Sequence, residues 1–158
     1  GADESGEIGE LHDPETHLIP IALRAAAGIG RELQVFGSDY PTPDGTCIRD
    51  YIHVNDLADA HVKALEQLAT GHESFAVNLG TGKGSSVKEV ISAVGEVTGK
   101  RVPHRMAPRR TGDPAALVAN PARAQRLLQW KATRGLRDMV ATAWNWMERQ
   151  PRATSSKN

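Results

Sequence analysis

Apolar positions recur along this chain in short blocks divided by Gly, Pro and Asp, and the spacing inside each block predicts its element. Leu18 to Ala27 is aliphatic and alanine-rich, which predicts a helix ended by Gly28. Leu33-Gln-Val-Phe36 alternates with period two and predicts a short strand closed by Gly37. Residues 38–47 hold Pro41, Pro43, Asp44 and Gly45 and read as a loop dense in turn signals. Tyr51 to Val54 reads as another short strand. Asn55 reads as the N-cap of a helix to about Ala69, with Leu57, Ala60, Ala64, Leu65 and Leu68 on one stripe. Phe75 to Leu79 has strand character, and Gly80, Gly82 and Gly84 make a flexible turn after it.

The second half follows the same grammar. Ser86 and Glu89 form a capping box for a helix through Val90, Ile91, Val94 and Val97, stopped by Gly99. Val102 to Met106 reads as extended. Asn120-Pro121 places an N-cap before proline at the first helical position, with a short helix to Trp130. A last helix, Leu136 to Arg149, turns Met139, Val140, Ala143, Trp146 and Met147 inward. Residues 1–17 read as an acidic loop, 18–150 as the folded lobe and 151–158 as a disordered tail. Helices outweigh short strands and no continuous βαβ series appears. The fold class expected is therefore α/β, in the form of the smaller lobe of a larger protein.

Composition narrows the function. The chain has 158 residues, the size of one domain, and only 4% are aromatic, so small aliphatic side chains must fill the core. Nineteen bases balance nineteen acids. The first fifteen residues nevertheless hold six acids and no Lys or Arg, while Arg101 to the end holds twelve bases against three acids. Those bases are scattered, with no aromatic ladder between them, so no nucleic-acid partner is expected. The single cysteine, Cys47, excludes an internal disulfide and a multi-cysteine zinc site. No apolar run reaches the ~20 residues of a membrane span and no secretion signal opens the chain, so a soluble, cytoplasmic protein without membrane partner is expected. The chain starts at Gly1 without an initiator methionine, which fits processing or excision from something longer.

Chemistry is sparse. No nucleophile–base pair is readable, the six histidines have no signature spacing, and no metal site is expected. Gly82-Lys83-Gly84-Ser85 fails as a P-loop, because Gly follows Lys and Val77 stands where the first glycine belongs. No GxGxxG turn is present. Two arginine sites remain. Arg49 has apolar neighbours and is either paired with Asp50 or aimed at an anion. Arg109-Arg110-Thr-Gly-Asp113 is a basic loop ending in a carboxylate. Guanidinium forks suit a pyrophosphate, and a carboxylate can accept from sugar hydroxyls. Surface salt bridges remain the competing reading of both sites.

The stretch from Val35 to Asp59, with Gly37-Ser-Asp-Tyr-Pro-Thr-Pro-Asp-Gly-Thr46 and Arg49-Asp-Tyr-Ile-His-Val54, closely resembles bacterial UDP-glucose 4-epimerases of the extended short-chain dehydrogenase/reductase superfamily. Gly6-Glu-Ile-Gly-Glu10, His12-Asp-Pro-Glu-Thr-His-Leu-Ile-Pro20, Val77-Asn-Leu-Gly-Thr-Gly82, Ala107-Pro-Arg-Arg-Thr-Gly-Asp-Pro114 and Trp144-Asn-Trp146 agree in order. The resemblance implies interconversion of UDP-galactose and UDP-glucose through a 4-keto sugar, with NAD taking and returning hydride. The family's GxxGxxG turn and YxxxK base are absent from this chain. The resemblance therefore implies the C-terminal, UDP-sugar-binding lobe, without catalytic or NAD-binding residues of its own. The NAD-binding Rossmann domain would be its missing partner, and a homodimer is common in the family. By the same resemblance Arg49 and Arg110 grip the UDP pyrophosphate and Asp113 binds a ribose hydroxyl. Gln34, Val35 and Phe36 line the uracil pocket, and Leu18 lies by the phosphate and sugar. His17 stands where many relatives have asparagine, and Leu117 where some have tyrosine. An epimerase of another UDP-sugar, such as a pentose or an N-acetylhexosamine, and a non-catalytic UDP-binding module are the alternatives. In the resembled enzymes this lobe packs on the Rossmann domain, so isolation would expose apolar surface, and the helix Leu136 to Met147 is one candidate for it.

Overall fold

A computed structural model of the chain describes residues 1–150; the expected disordered tail lies outside the described residues. Five helices and five short strands follow in the order α1 (Leu18–Ala26), β1 (Leu33–Phe36), β2 (Ile48–Arg49), α2 (Val54–Ala69), β3 (Ser85–Ser86), α3 (Val87–Thr98), β4 (His104–Ala107), β5 (Ala116–Leu117), α4 (Ala122–Leu128) and α5 (Leu136–Arg149), all among the described residues. The α/β expectation holds, with helices dominating.

The main core lies where α1, α3 and α5 pack on one another and on β1. It contains Leu23, Val35, Val90, Val94, Met139 and Val140, all essentially buried. These are mid-sized side chains, as the low aromatic content requires. β1 pairs in parallel with β4, Leu33 opposite His104 and Phe36 opposite Ala107. β2 is the middle strand of a separate sheet, antiparallel to β3 and parallel to β5. A smaller core of Ala60, Ala124, Leu128 and Trp130 joins α2 to α4.

The caps read from sequence are partly as expected. Ser86 Oγ accepts from the Glu89 N–H, and Glu89 returns the bond to the Ser86 N–H, so the capping box of α3 is complete. Gly99 ends α3 at φ +66, a conformation that favours glycine. At α2 the N-cap is His53 rather than Asn55; His53 Nδ1 accepts the Asn55 N–H at 3.1 Å. The strand expected at Tyr51–Val54 is displaced to Ile48–Arg49, because the helix already begins at Val54. Phe75 to Leu79 pairs with no strand; Phe75, Val77 and Leu79 instead lean on the small core. α4 stops at Leu128, two residues short of Trp130, with Gln129 left-handed at φ +48. Its N-cap is Pro121 rather than Asn120, because the helix starts only at Ala122; Asn120 Oδ1 still accepts the Ala122 N–H at 3.1 Å from one position further out.

α5 is a core helix, with Met139 and Val140 buried as their inward spacing predicts and both tryptophans half-buried, so it is not the exposed apolar surface. The open apolar surface is on α2, where Leu65 and Leu68 face solvent rather than the core. Val54, Ala58, Val62, Leu65, Leu68 and Ala69 form one exposed stripe along that helix, with Leu65 66% exposed. Residues 1–17 contain no helix or strand and lie along α5. The Ala2 N–H donates to Thr142 Oγ1 at 3.1 Å, and Arg134 Nε donates to Glu4 at 2.7 Å. No helix of the described residues is long and apolar enough to cross a membrane.

Candidate functional site

Two extended segments with period-two alternation build one wall. In β1 the side chains of Leu33 and Val35 are buried while Gln34 is exposed and Phe36 half-buried. Around β2, Cys47, Arg49 and Tyr51 share a face, and Asp50 points the other way. Between them opens a cavity of about 430 Å³. Leu18 and Ile21 from the start of α1 close one side, and Arg110 and Asp113 from the loop after β4 close another.

Six of the seven residues expected in a site therefore line one cavity: Leu18, Gln34, Phe36, Arg49, Arg110 and Asp113. Val35 does not. Its side chain is 1% exposed and belongs to the main core, because it is the inward residue of an alternating strand. Leu117 stands on β5 beside Arg49 but is 62% exposed and outside the cavity lining.

The cavity's charges are organised. Arg49 Nη2 bonds the Asp113 carboxylate, and Nη1 donates to the Ile48 carbonyl at 2.6 Å. Both side chains are about three-quarters buried, so this pair is shielded from bulk water. The guanidinium of Arg110 lies over the Phe36 ring, 3.9 Å from its centroid. The Arg49–Asp50 pairing considered from sequence does not occur. Asp50 instead accepts from the backbone N–H groups of Thr81, Gly82 and Ala119, at 3.0, 3.0 and 3.2 Å. Arg109 also departs from its neighbour: it lies over the Tyr40 ring and donates from Nε to Asp39 at 2.7 Å. The two guanidiniums that converge are thus Arg49 and Arg110, and not the adjacent pair Arg109-Arg110.

Tyr51 is a wall of this cavity that sequence reasoning missed. Burial, with Cys47 and Asp113 close by, pushes its phenol up to about 12, against the opposing pull of Arg49, so its hydroxyl stays protonated. The signal was available: Cys47, Arg49 and Tyr51 stand two apart in an extended stretch. A second, more apolar cavity of about 250 Å³ adjoins the first, sharing Leu18 and Tyr51, with His17 and Trp146 on its wall.

The donors around the glycine turn are already taken. Thr81 and Gly82 commit their N–H groups to Asp50. A dinucleotide pyrophosphate needs such groups free. This turn does not fit NAD, in keeping with its failure as a P-loop.

The chain is similar to known proteins in both sequence and fold. Residues 6–80 match the NAD dependent epimerase/dehydratase family. The chain is 52% identical to a UDP-glucose 4-epimerase from Halalkalibacterium halodurans, over its whole length but only 48% of that protein. A UDP-glucose 4-epimerase structure from Stenotrophomonas maltophila, with bound NAD and formylated UDP-arabinopyranose, superposes with a TM-score of 0.90. It is 50% identical over 94% of this chain and 44% of its own. One from Bifidobacterium longum, in complex with NAD+ and UDP, gives 0.86 at 43% identity, again over 94% of this chain and 44% of its own. The chain spans about half the length of the relatives it matches. Over its whole length the chain is thus similar, in sequence and in fold, to about half of a UDP-glucose 4-epimerase.

Proposed function

We propose that this chain is the C-terminal, UDP-sugar-binding part of a UDP-glucose 4-epimerase that interconverts UDP-galactose and UDP-glucose. The observation that carries the reading is the convergence of Arg49, Arg110, Asp113 and Phe36 on one cavity. Phe36 and Gln34 offer a flat face and an amide to a uracil. Arg49 keeps N–H groups beyond those bonded to Ile48 and Asp113, and Arg110 adds a second fork for the diphosphate. Asp113 accepts from a ribose hydroxyl when a ligand draws Arg49 toward phosphate. Leu18 and Tyr51 lead toward the second cavity and hence toward the sugar.

NAD would supply the hydride chemistry and would be held by a Rossmann domain outside this chain. The stripe from Val54 to Ala69 on α2 is the surface that domain would cover, since more than half of the relatives' length lies beyond this chain. In this reading residues 18–150 are the lobe and 1–17 its acidic lead-in. The buried single cysteine fits a reducing cytoplasm, and two copies would assemble as a homodimer.

The test is conversion of UDP-galactose to UDP-glucose by the whole protein, followed by chromatography. The 158-residue chain with added NAD is expected to convert none. Conversion by the chain alone, or none by the whole protein, contradicts the proposal. A second reading, turnover of another UDP-sugar, is favoured by the pentose nucleotide in the Stenotrophomonas structure. Comparing sugars in the whole protein separates the two.

A further inference from the structure

We infer that Glu10, His12 and His17 form a binding site for one divalent transition-metal ion of the zinc, cobalt or nickel class. One ligand atom from each lies within 4.8 Å of the others. His12 Nδ1 is 3.8 Å from Glu10 Oε1, and the two imidazoles meet edge to face with centroids 5.1 Å apart. Tetrahedral bonds of about 2.0–2.2 Å would set donor pairs roughly 3.5 Å apart. All three side chains are exposed, so rotation of Glu10 and His12 about their own torsions brings their donors to His17.

Glu15 makes this more than a chance grouping. Its side chain is only 5% exposed in an otherwise open segment. One oxygen, Oε1, accepts from the backbone N–H of Thr16 at 2.9 Å and of His17 at 2.8 Å, and from His17 Nδ1 at 2.9 Å. A fixed carboxylate thus keeps the proton of His17 on Nδ1 and leaves Nε2 as a lone-pair donor. Metal-ligating histidines are held in this way. Glu15 is a positioning residue here.

The donor set chooses the ion. Two imidazoles and one carboxylate suit zinc, cobalt and nickel, whereas calcium and magnesium need more oxygen ligands. Three protein ligands leave a fourth position for water or another ligand. Glu10 and His17 also line the second cavity, so the ion would stand at its rim, next to the nucleotide cavity. The loop spacing alone gave no hint of this, because Glu10, His12 and His17 follow no regular period.

The experiment is titration of the tag-free whole protein with Co2+ after chelation, followed by its visible absorption. One ion per chain is expected, saturating in the micromolar range, displaced by Zn2+ and unaffected by a millimolar excess of Mg2+. H12N and H17N should each weaken binding at least tenfold. E15Q should weaken it about 10- to 100-fold and shift the absorption bands. Zn2+ should also raise the Tm of the native protein and leave that of the H12N/H17N double variant unchanged. His12 and His17 are exposed, so the metal-free variants are expected to keep the native Tm. No saturable absorption, or binding retained by the double variant, overturns the proposal.

Discussion

Replacing Arg110 with Ala removes the cavity's one cation that forms no salt bridge among the described residues. Arg49, the other, already faces Asp113, so its charge is largely offset before any ligand arrives. A diphosphate should therefore depend strongly on Arg110. Hydrogen bonds to a charged group contribute about 1.5–3 kcal/mol, which is roughly 10- to 150-fold in Kd. Because Arg110 is exposed, salt screens part of this, and the loss should shrink as ionic strength rises. Its removal costs the fold little, since surface changes usually stay within about 0.5 kcal/mol. Calorimetric titration of UDP into the whole protein, native and R110A, reads the effect directly. R109A is the control: that guanidinium is engaged by Asp39 and Tyr40, outside the cavity, and should change Kd by less than about threefold. An R110A protein that binds UDP within twofold of the native one, at unchanged Tm, would refute the reasoning.

Three further outcomes follow from the same geometry. V35A should destabilise by about 2 kcal/mol, from two lost methyl groups and the space they leave, while F36A should weaken UDP binding; urea unfolding and UDP titration separate the two. Asp56 is buried and accepts from Thr133 and from both the backbone and side chain of Arg134, with Arg134 Nη1 at 2.6 Å. Burial pushes its carboxyl up, but those bonds outweigh it and hold the group below the usual range. Its contribution is present above the ordinary carboxylate pKa of about 3.9 and is lost as pH falls through the depressed folded value. D56A should cost about 3–5 kcal/mol at neutral pH in urea unfolding, and less in strong acid. His53 is fully buried and pushed below its ordinary value, first by burial and then by nearby positive charge, including Arg134. The unfolded chain then binds more protons than the folded one below about pH 6.5, so stability should rise with pH through that window. H53Q should flatten that slope in a series of Tm measurements.

Much of this fold was legible because local signals were unopposed. The Ser86–Glu89 capping box, Gly99 and the 3.6-residue pattern of α3 all point one way, and that helix came out as read. The strand near Arg49 was misplaced because two residues of pairing carry no signature stronger than the helix start at Val54. The stripe on α2 misled for a different reason: Ala60 and Ala64 do face the small core, whereas Leu65 and Leu68 join an exposed apolar face that nothing among the described residues covers. In the candidate site, resemblance supplied the residues and the strand period decides among them. It admits Gln34 and Phe36, sends Val35 to the core, and adds Tyr51 and Cys47. The bond of Arg49 with Asp113, sixty-four residues apart, could not be read from either segment alone.

The most direct test of the account is a crystal structure of the whole protein with UDP. The account predicts uracil against Phe36 and Gln34, diphosphate oxygens on Arg49 and Arg110, and ribose at Asp113. UDP bound elsewhere, with Arg49 and Asp113 still bonded and Arg110 untouched, would contradict it.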